Sequence, residues 1–217
     1  MMKVAVVLSG CGVFDGAEIH ESVLTMLALV RAGAEPEFLA PDIPQAHVIN
    51  HLTGEVAEGE SRNVLVESAR IARGKIKDIA QANVDDYAAV FFPGGFGAAK
   101  NLSDFASKGA DCHIQPDVLR FAKAIADAGK PACYICIAPA IMPQVYGSGV
   151  AVTIGTDADT AAAVTAMGGQ HINCPVKEFV IDKQRKVVST PAYMLAENIA
   201  DAATGIEAAV KATLALI

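Results

Sequence analysis

Basic residues are scarce in this chain. Lysine and arginine number 17 against 24 aspartates and glutamates, a net charge of −7. Nucleic acids are held by basic surfaces, so this balance argues against a nucleic-acid partner. An acidic surplus mostly serves solubility. Long apolar runs are missing too. None approaches the roughly 20 residues that span a bilayer, and no membrane partner is expected. Charged residues make up only 19% of the chain and hydrophobic ones 53%, which excludes a disordered polypeptide. The cysteines, at 11, 112, 133, 136 and 174, are odd in number and follow no disulfide-framework spacing. The opening residues, Met1 to Gly10, read as a buried first strand rather than a signal peptide. Together these features predict free thiols in a reducing, cytoplasmic setting. The histidines form no H-E-x-x-H motif, and neither a metal site nor a cofactor is expected.

What the chain does have is short apolar runs alternating with helical patterns. Val4–Leu8, Phe38–Ala40, Ala88–Phe92 and Pro131–Ile135 read as strands, the first of them apolar on both faces. Residues 17–32 read as a helix with Ile19, Val23, Met26, Leu27 and Val30 on its apolar face, started by an Asp15/Glu18 capping box. Residues 41–61 are irregular and predict a long excursion near the active-site end. Helices follow over about 62–73, capped by Ser61, and over 116–128, opened by Pro116 and closed by Gly129. Two more lie near 158–167 and 195–216, with a hairpin pairing Phe179–Asp182 and Val187–Thr190 between them. This alternation predicts an α/β fold, a parallel sheet covered on both faces, in one domain over 1–217. Ligands of such sheets sit at the carboxyl ends of the strands, at a topological switch point. Three segments with chemical content reach that edge: Ser9–Glu21, Pro93–Asn101 and Cys136–Pro139.

In the last of these, an apolar strand runs into Cys136, then Ile137, Ala138 and a proline suited to a first helical turn. That is the pattern of a nucleophile elbow. Amides of the following helix would favour the thiolate, lower the thiol pKa and supply an oxyanion donor. A buried structural cysteine fits the same pattern. Gly94-Gly95 after the third strand presents bare N–H groups suited to an oxyanion or a carboxylate, and equally suits a tight turn with positive φ. Lys100-Asn101 suits a polar substrate or a solvated surface. Ser9-Gly10-Cys11-Gly12 is a poor dinucleotide fingerprint, since Gly16 stands one place too late. Glu21 lies nearly opposite the apolar stripe, so periodicity makes it a solvated residue. Cys133 lies inside its strand, which argues against a redox C-x-x-C, and Cys112-His113 reads as surface.

Five stretches carry a resemblance over essentially the whole chain: residues 9–21, Asn50 to Glu55, Pro93 to Leu102, Cys136-Ile137-Ala138-Pro139 and Thr190-Pro191-Ala192-Tyr193-Met194. They resemble the ElbB family, the isoprenoid-biosynthesis-associated branch of the ThiJ/PfpI superfamily. The resemblance implies a flavodoxin-like, class I glutamine amidotransferase-like fold, dimeric as a rule. It implies that Cys136 is the nucleophile, that Glu21 hydrogen-bonds the thiol, and that Gly94, Gly95 and the Ile137 N–H form the oxyanion site; Asn101, from its place just after the glycine turn, is expected as a substrate contact. The activity implied is a glutathione-independent conversion of glyoxal and similar small dicarbonyls to glycolate. Many PfpI-type members place a histidine directly after the nucleophile, where Ile137 stands here. The amidotransferase H-x-E pair is also missing, because His171 leads into Ile172-Asn173. A Cys–His dyad is therefore not assignable, and a cysteine-based redox sensor or partner-binding protein of isoprenoid metabolism is the alternative.

Overall fold

The computed structural model describes residues 2–217. Strands β1 (Met2–Val7), β2 (Ala34–Ala40), β3 (Ile76–Asp78), β4 (Val90–Phe92), β5 (Ala132–Ile135), β6 (Val180–Asp182) and β7 (Val187–Thr190) form one sheet in the order β6-β7-β5-β4-β1-β2-β3. All neighbours are parallel except the edge pair β6 and β7. The apolar strands need this arrangement, because successive residues face opposite layers and both layers are filled. Ala5, Val7, Val90, Phe92, Ala132 and Tyr134 face one core. Val4, Val6, Phe91, Cys133, Ile135 and Val188 face the other. Helices α1 (Ile19–Arg31), α2 (Val64–Ile71) and α8 (Ile199–Leu214) cover the second core. The first lies under α3 (Phe96–Lys100), α4 (Phe105–Lys108), α5 (Pro116–Asp127), α6 (Met142–Tyr146) and α7 (Ala158–Ala166).

The strand order reverses between β1 and β4, so the loops after β1, β4 and β5 open onto one crevice. The predicted hairpin forms with Val180 opposite Ser189 and Asp182 opposite Val187. Residues 41–63 make the long excursion, carrying only a two-stranded ribbon of Ile49–Asn50 and Glu55–Val56. Several local expectations shift. The cap of α2 is Asn63, whose side chain accepts from the Val66 N–H, and not Ser61. Edge strand β3 has too few residues to show a period. Cys112 is buried beside Gln144 and Met167, while its neighbour His113 is exposed.

The largest departure is α1. Its buried residues are Glu21, Ser22, Thr25, Ala28 and Leu29, whereas Ile19, Val23, Leu27 and Val30 are exposed. Periodicity selects the most apolar face; here the chain turns a mostly small and polar face inward, against α8 and the sheet edge. The capping box is also rearranged. Glu18 itself is the N-cap and accepts from the Glu21 N–H at 2.7 Å. Asp15 instead accepts from the Ile49 N–H at 2.8 Å and holds the excursion.

Candidate active site

Cys136 follows β5 at a φ of 63°, a left-handed conformation rare for a residue with a side chain. The turn is held from behind, since the Cys136 N–H donates to Thr190 O at 2.9 Å. A strained backbone fixed by its neighbours is how an elbow lifts a side chain off the sheet edge. The sulfur lies on a cavity of about 330 Å³ and receives the backbone N–H groups of Gly95 and Ile137. A shallower hollow of about 420 Å³ at the opposite end of the sheet, beside Lys3 and Lys130, is lined by no cysteine.

Glu21 reaches the same sulfur from α1 and is fully buried. Its two oxygens accept from the Gly94 N–H at 2.9 Å and the Tyr193 N–H at 3.1 Å. Burial, and next the negative charge of Glu18, push its carboxyl up to about 8. At neutral pH it therefore keeps a proton that it can donate to the sulfur. Burial, followed by the nearby Glu21 charge, also holds the Cys136 thiol well above its ordinary range. This corrects the expectation of a lowered thiol pKa. The Gly95 and Ile137 amides pull downward but do not overcome desolvation. The segment after the cysteine is only a 3-10 turn, Ala138–Ile141, leading into the short α6, so no long helix dipole assists them.

The raised carboxyl has a consequence for stability. An ordinary glutamate loses its proton near pH 4.5, while the folded chain keeps this one to about 8. This group's contribution to stability is thus fully present below pH 4.5 and is lost as the pH rises to about 8. The loss runs at roughly 1.4 kcal/mol per pH unit across that window. Urea unfolding at several pH values is expected to show a flatter profile for Glu21→Gln than for the native chain. Parallel profiles would contradict a protonated Glu21.

Gly94 and Gly95 sit where close approach demands them. A Cβ on Gly94 would lie 2.4 Å from the Cβ of Cys136 and 2.8 Å from a Glu21 oxygen. Asn101 is placed differently from the substrate contact expected of it. It is buried, and its amide donates to Ser9 O at 2.8 Å and Asp15 O at 2.9 Å while accepting from the Ala46 N–H at 2.9 Å. It ties together the loop after β1, the excursion and α3, and does not line the cavity. Asn101→Ala would orphan these groups and is expected to lower stability by about 3 kcal/mol, read from the urea midpoint; a loss below about 1 kcal/mol would refute the tie.

Three contributors escaped the sequence reading. Tyr193 and Met194 line the cavity from the segment after β7, where Ala192 also has positive φ, 43°. The Tyr193 hydroxyl pairs with His20 Nδ1 at 2.8 Å. Glu18 lines the cavity as well as capping α1. The available signal was position, since β7 ends at the same sheet edge as β5.

This geometry can be set against known proteins. A human protein named glutamine amidotransferase-like class 1 domain-containing protein 3, mitochondrial, is 48% identical over 223 aligned residues, covering 99% of this chain and 83% of its own length. The rat ES1 protein homolog, mitochondrial, is 49% identical, covering 99% of this chain and 84% of its own length. The chain belongs to this ES1 family of glutamine amidotransferase-like class 1 proteins. No family model matches it. Among solved structures, an isoprenoid biosynthesis protein with amidotransferase-like domain from Ehrlichia chaffeensis superposes with a TM-score of 0.93 at 36% identity, covering 100% of this chain and 99% of its own. Glyoxalase III from Candida albicans superposes at 0.60 with 15% identity, covering 97% of each chain, and shows the shared fold alone. The fold of this ES1-family chain is thus the class I glutamine amidotransferase-like one, a mostly parallel sheet between helical layers. The family names also correct the cytoplasmic expectation, because the human and rat relatives are named mitochondrial and point there instead. Free thiols report a reducing compartment and do not say which one.

Proposed function

We propose that this chain, read as one ElbB-type domain over residues 1–217, is a cofactor-independent glyoxalase that converts glyoxal and similar dicarbonyls to the 2-hydroxy acid, glycolate from glyoxal. The observation that carries the proposal is the convergence of Glu21, the Gly95 amide and the Ile137 amide on one sulfur at a cavity wall. The Cys136 thiolate adds to an aldehyde carbon, and the two amides hold the oxyanion of the hemithioacetal. Glu21 gives its proton to that oxyanion and, now a carboxylate, takes the proton from the same carbon and returns it to the neighbouring one, giving a thioester of the hydroxy acid. Water then releases the acid and restores the thiol. The aldehyde carbon is oxidised as its neighbour is reduced, so no external electron carrier is needed. Glycolate appearing from glyoxal without glutathione, followed by NMR, is the test; its absence would overturn the proposal.

One observation favours redox sensing by the same thiol. A carboxyl protonated at neutral pH can donate to a sulfinate, and no histidine lines the cavity to serve as a second base. Under this reading intact mass rises by two oxygens at Cys136 after mild peroxide, and a Cys136 left unmodified there removes it.

The family resemblance implies a homodimer, and the exposed Ile19, Val23, Leu27 and Val30 stripe of α1 offers a self-complementary face. Val23→Lys is then expected to shift the sedimenting species from dimer to monomer. An unchanged sedimentation coefficient would place the interface elsewhere.

A further inference from the structure

The cavity beside Cys136 is too large and too apolar for glyoxal alone. At about 30 Å³ for each water-sized group, a dialdehyde of four heavy atoms fills on the order of 100 Å³. The cavity holds about 330 Å³. It therefore has space for roughly seven more methylene-sized groups. Its polar side chains are Cys136, Glu18, Tyr193 and a single threonine, Thr160 of α7. Glu18 caps the turn that bears Glu21, and the Tyr193 amide donates to Glu21. Away from the sulfur, α3 and α4 supply Phe96, Ala99, Phe105 and Ala106, joined by Val13 and Met194. No lysine, arginine or histidine lines the space. Lys100, the nearest candidate by sequence, is turned away to Phe14 O at 3.0 Å and over the Phe96 ring. An anionic substrate would find no countercharge, and would meet Glu18 instead.

Resting on the glyoxalase reading of the site, we infer that the preferred substrates are uncharged 2-oxoaldehydes with an unbranched apolar tail of about five to seven carbons, seated between α3 and α4. The tail adds binding without changing the reaction. The thiolate still adds to the aldehyde carbon, and the neighbouring ketone carbon still becomes the carbinol.

Two series of reagents test this on the full chain. In the first, kcat/KM is measured for alkylglyoxals from methyl to decyl. Each added methylene is expected to raise it about fourfold until the cavity is full, with a plateau or fall beyond. An alkylglyoxal ending in a carboxylate should lose this gain. Ala106→Phe, on an exposed position of α4, should shrink the ratio of heptyl to methyl at least tenfold. In the second, the rate of Cys136 alkylation is measured for N-alkylmaleimides of increasing length, which needs no turnover. Rates that climb with length and flatten in Ala106→Phe support the apolar tail site, even if no dicarbonyl is converted. That combination would overturn the glyoxalase reading and leave the cavity's preference standing. Flat or falling length dependence in both series would overturn the inference, whether or not glyoxal is consumed.

Discussion

Cys136→Ala is expected to lower kcat/KM for glyoxal by at least about 10³-fold, because losing a nucleophile removes the covalent path and not merely a binding contact. The substitution suits the question. Alanine keeps the Cβ that strains the turn at a φ of 63°, so the elbow itself is unaltered. It also retains the Cys136 N–H bond to Thr190 O. Thermal melting should therefore change little while glycolate formation stops. Turnover equal to the native rate would move the chemistry away from this sulfur. On the glyoxalase reading, the native chain should moreover be more active at pH 8 than at pH 6. Glu21 holds its proton up to about 8 and the thiol above its ordinary range, so the pair must release a proton before a thiolate can form. A rate independent of pH across that interval would contradict a raised, shared titration.

Gly95→Ala is expected to be the most destabilising single change at the site, by about 4 kcal/mol or more. Two separate faults add. Gly95 has a φ of 90°, where a side chain is strained. Its Cβ would also lie 2.4 Å from Glu18 N and 2.5 Å from Gly16 O, both backbone atoms that cannot turn aside. The Glu18 N–H already donates to Gly94 O at 2.9 Å, so the turn after β4 and the start of α1 form one tight joint. The same joint aims the Gly95 amide at Cys136 and brings α1 close enough for Glu21 to reach it. Gly54→Ala is the control. Gly54 also has positive φ, 78°, but a Cβ there meets nothing within 4 Å, and about 1 kcal/mol is expected. Urea midpoints for the two variants would separate the effects. Equal losses would show that backbone strain, and not the joint with Glu18 and Gly16, sets the cost.

Much of the architecture was legible because its signals are local. A strand buried on both faces must be apolar throughout, and Val4 to Val7, Phe91 and Phe92, and Ala132 to Ile135 are. Gly129 ends α5 at positive φ, and Pro116 opens it, as their backbone chemistry requires. The elbow was legible for the same reason, since a strand, a reactive side chain and a proline three residues on lie within one short window. Residue 21 was not legible. Helical periodicity ranks faces by apolarity, and α1 buries the less apolar one while its aliphatic stripe faces outward. Asn101 looked free to meet a ligand because the carbonyls it binds, on Ser9 and Asp15, lie more than 80 residues away in the chain.

The sequence by itself therefore determined the parallel sheet, the crevice at its carboxyl edge and the thiol placed there, each a consequence of residues close together in the chain. Only the tertiary structure decided what surrounds that thiol. The protonated Glu21, the pairing of Tyr193 with His20, the apolar cavity under α3 and α4, and a thiol pKa raised rather than lowered all follow from which distant segments pack together and exclude water. Desolvation is a property of that packing, and no pattern along the chain encodes it.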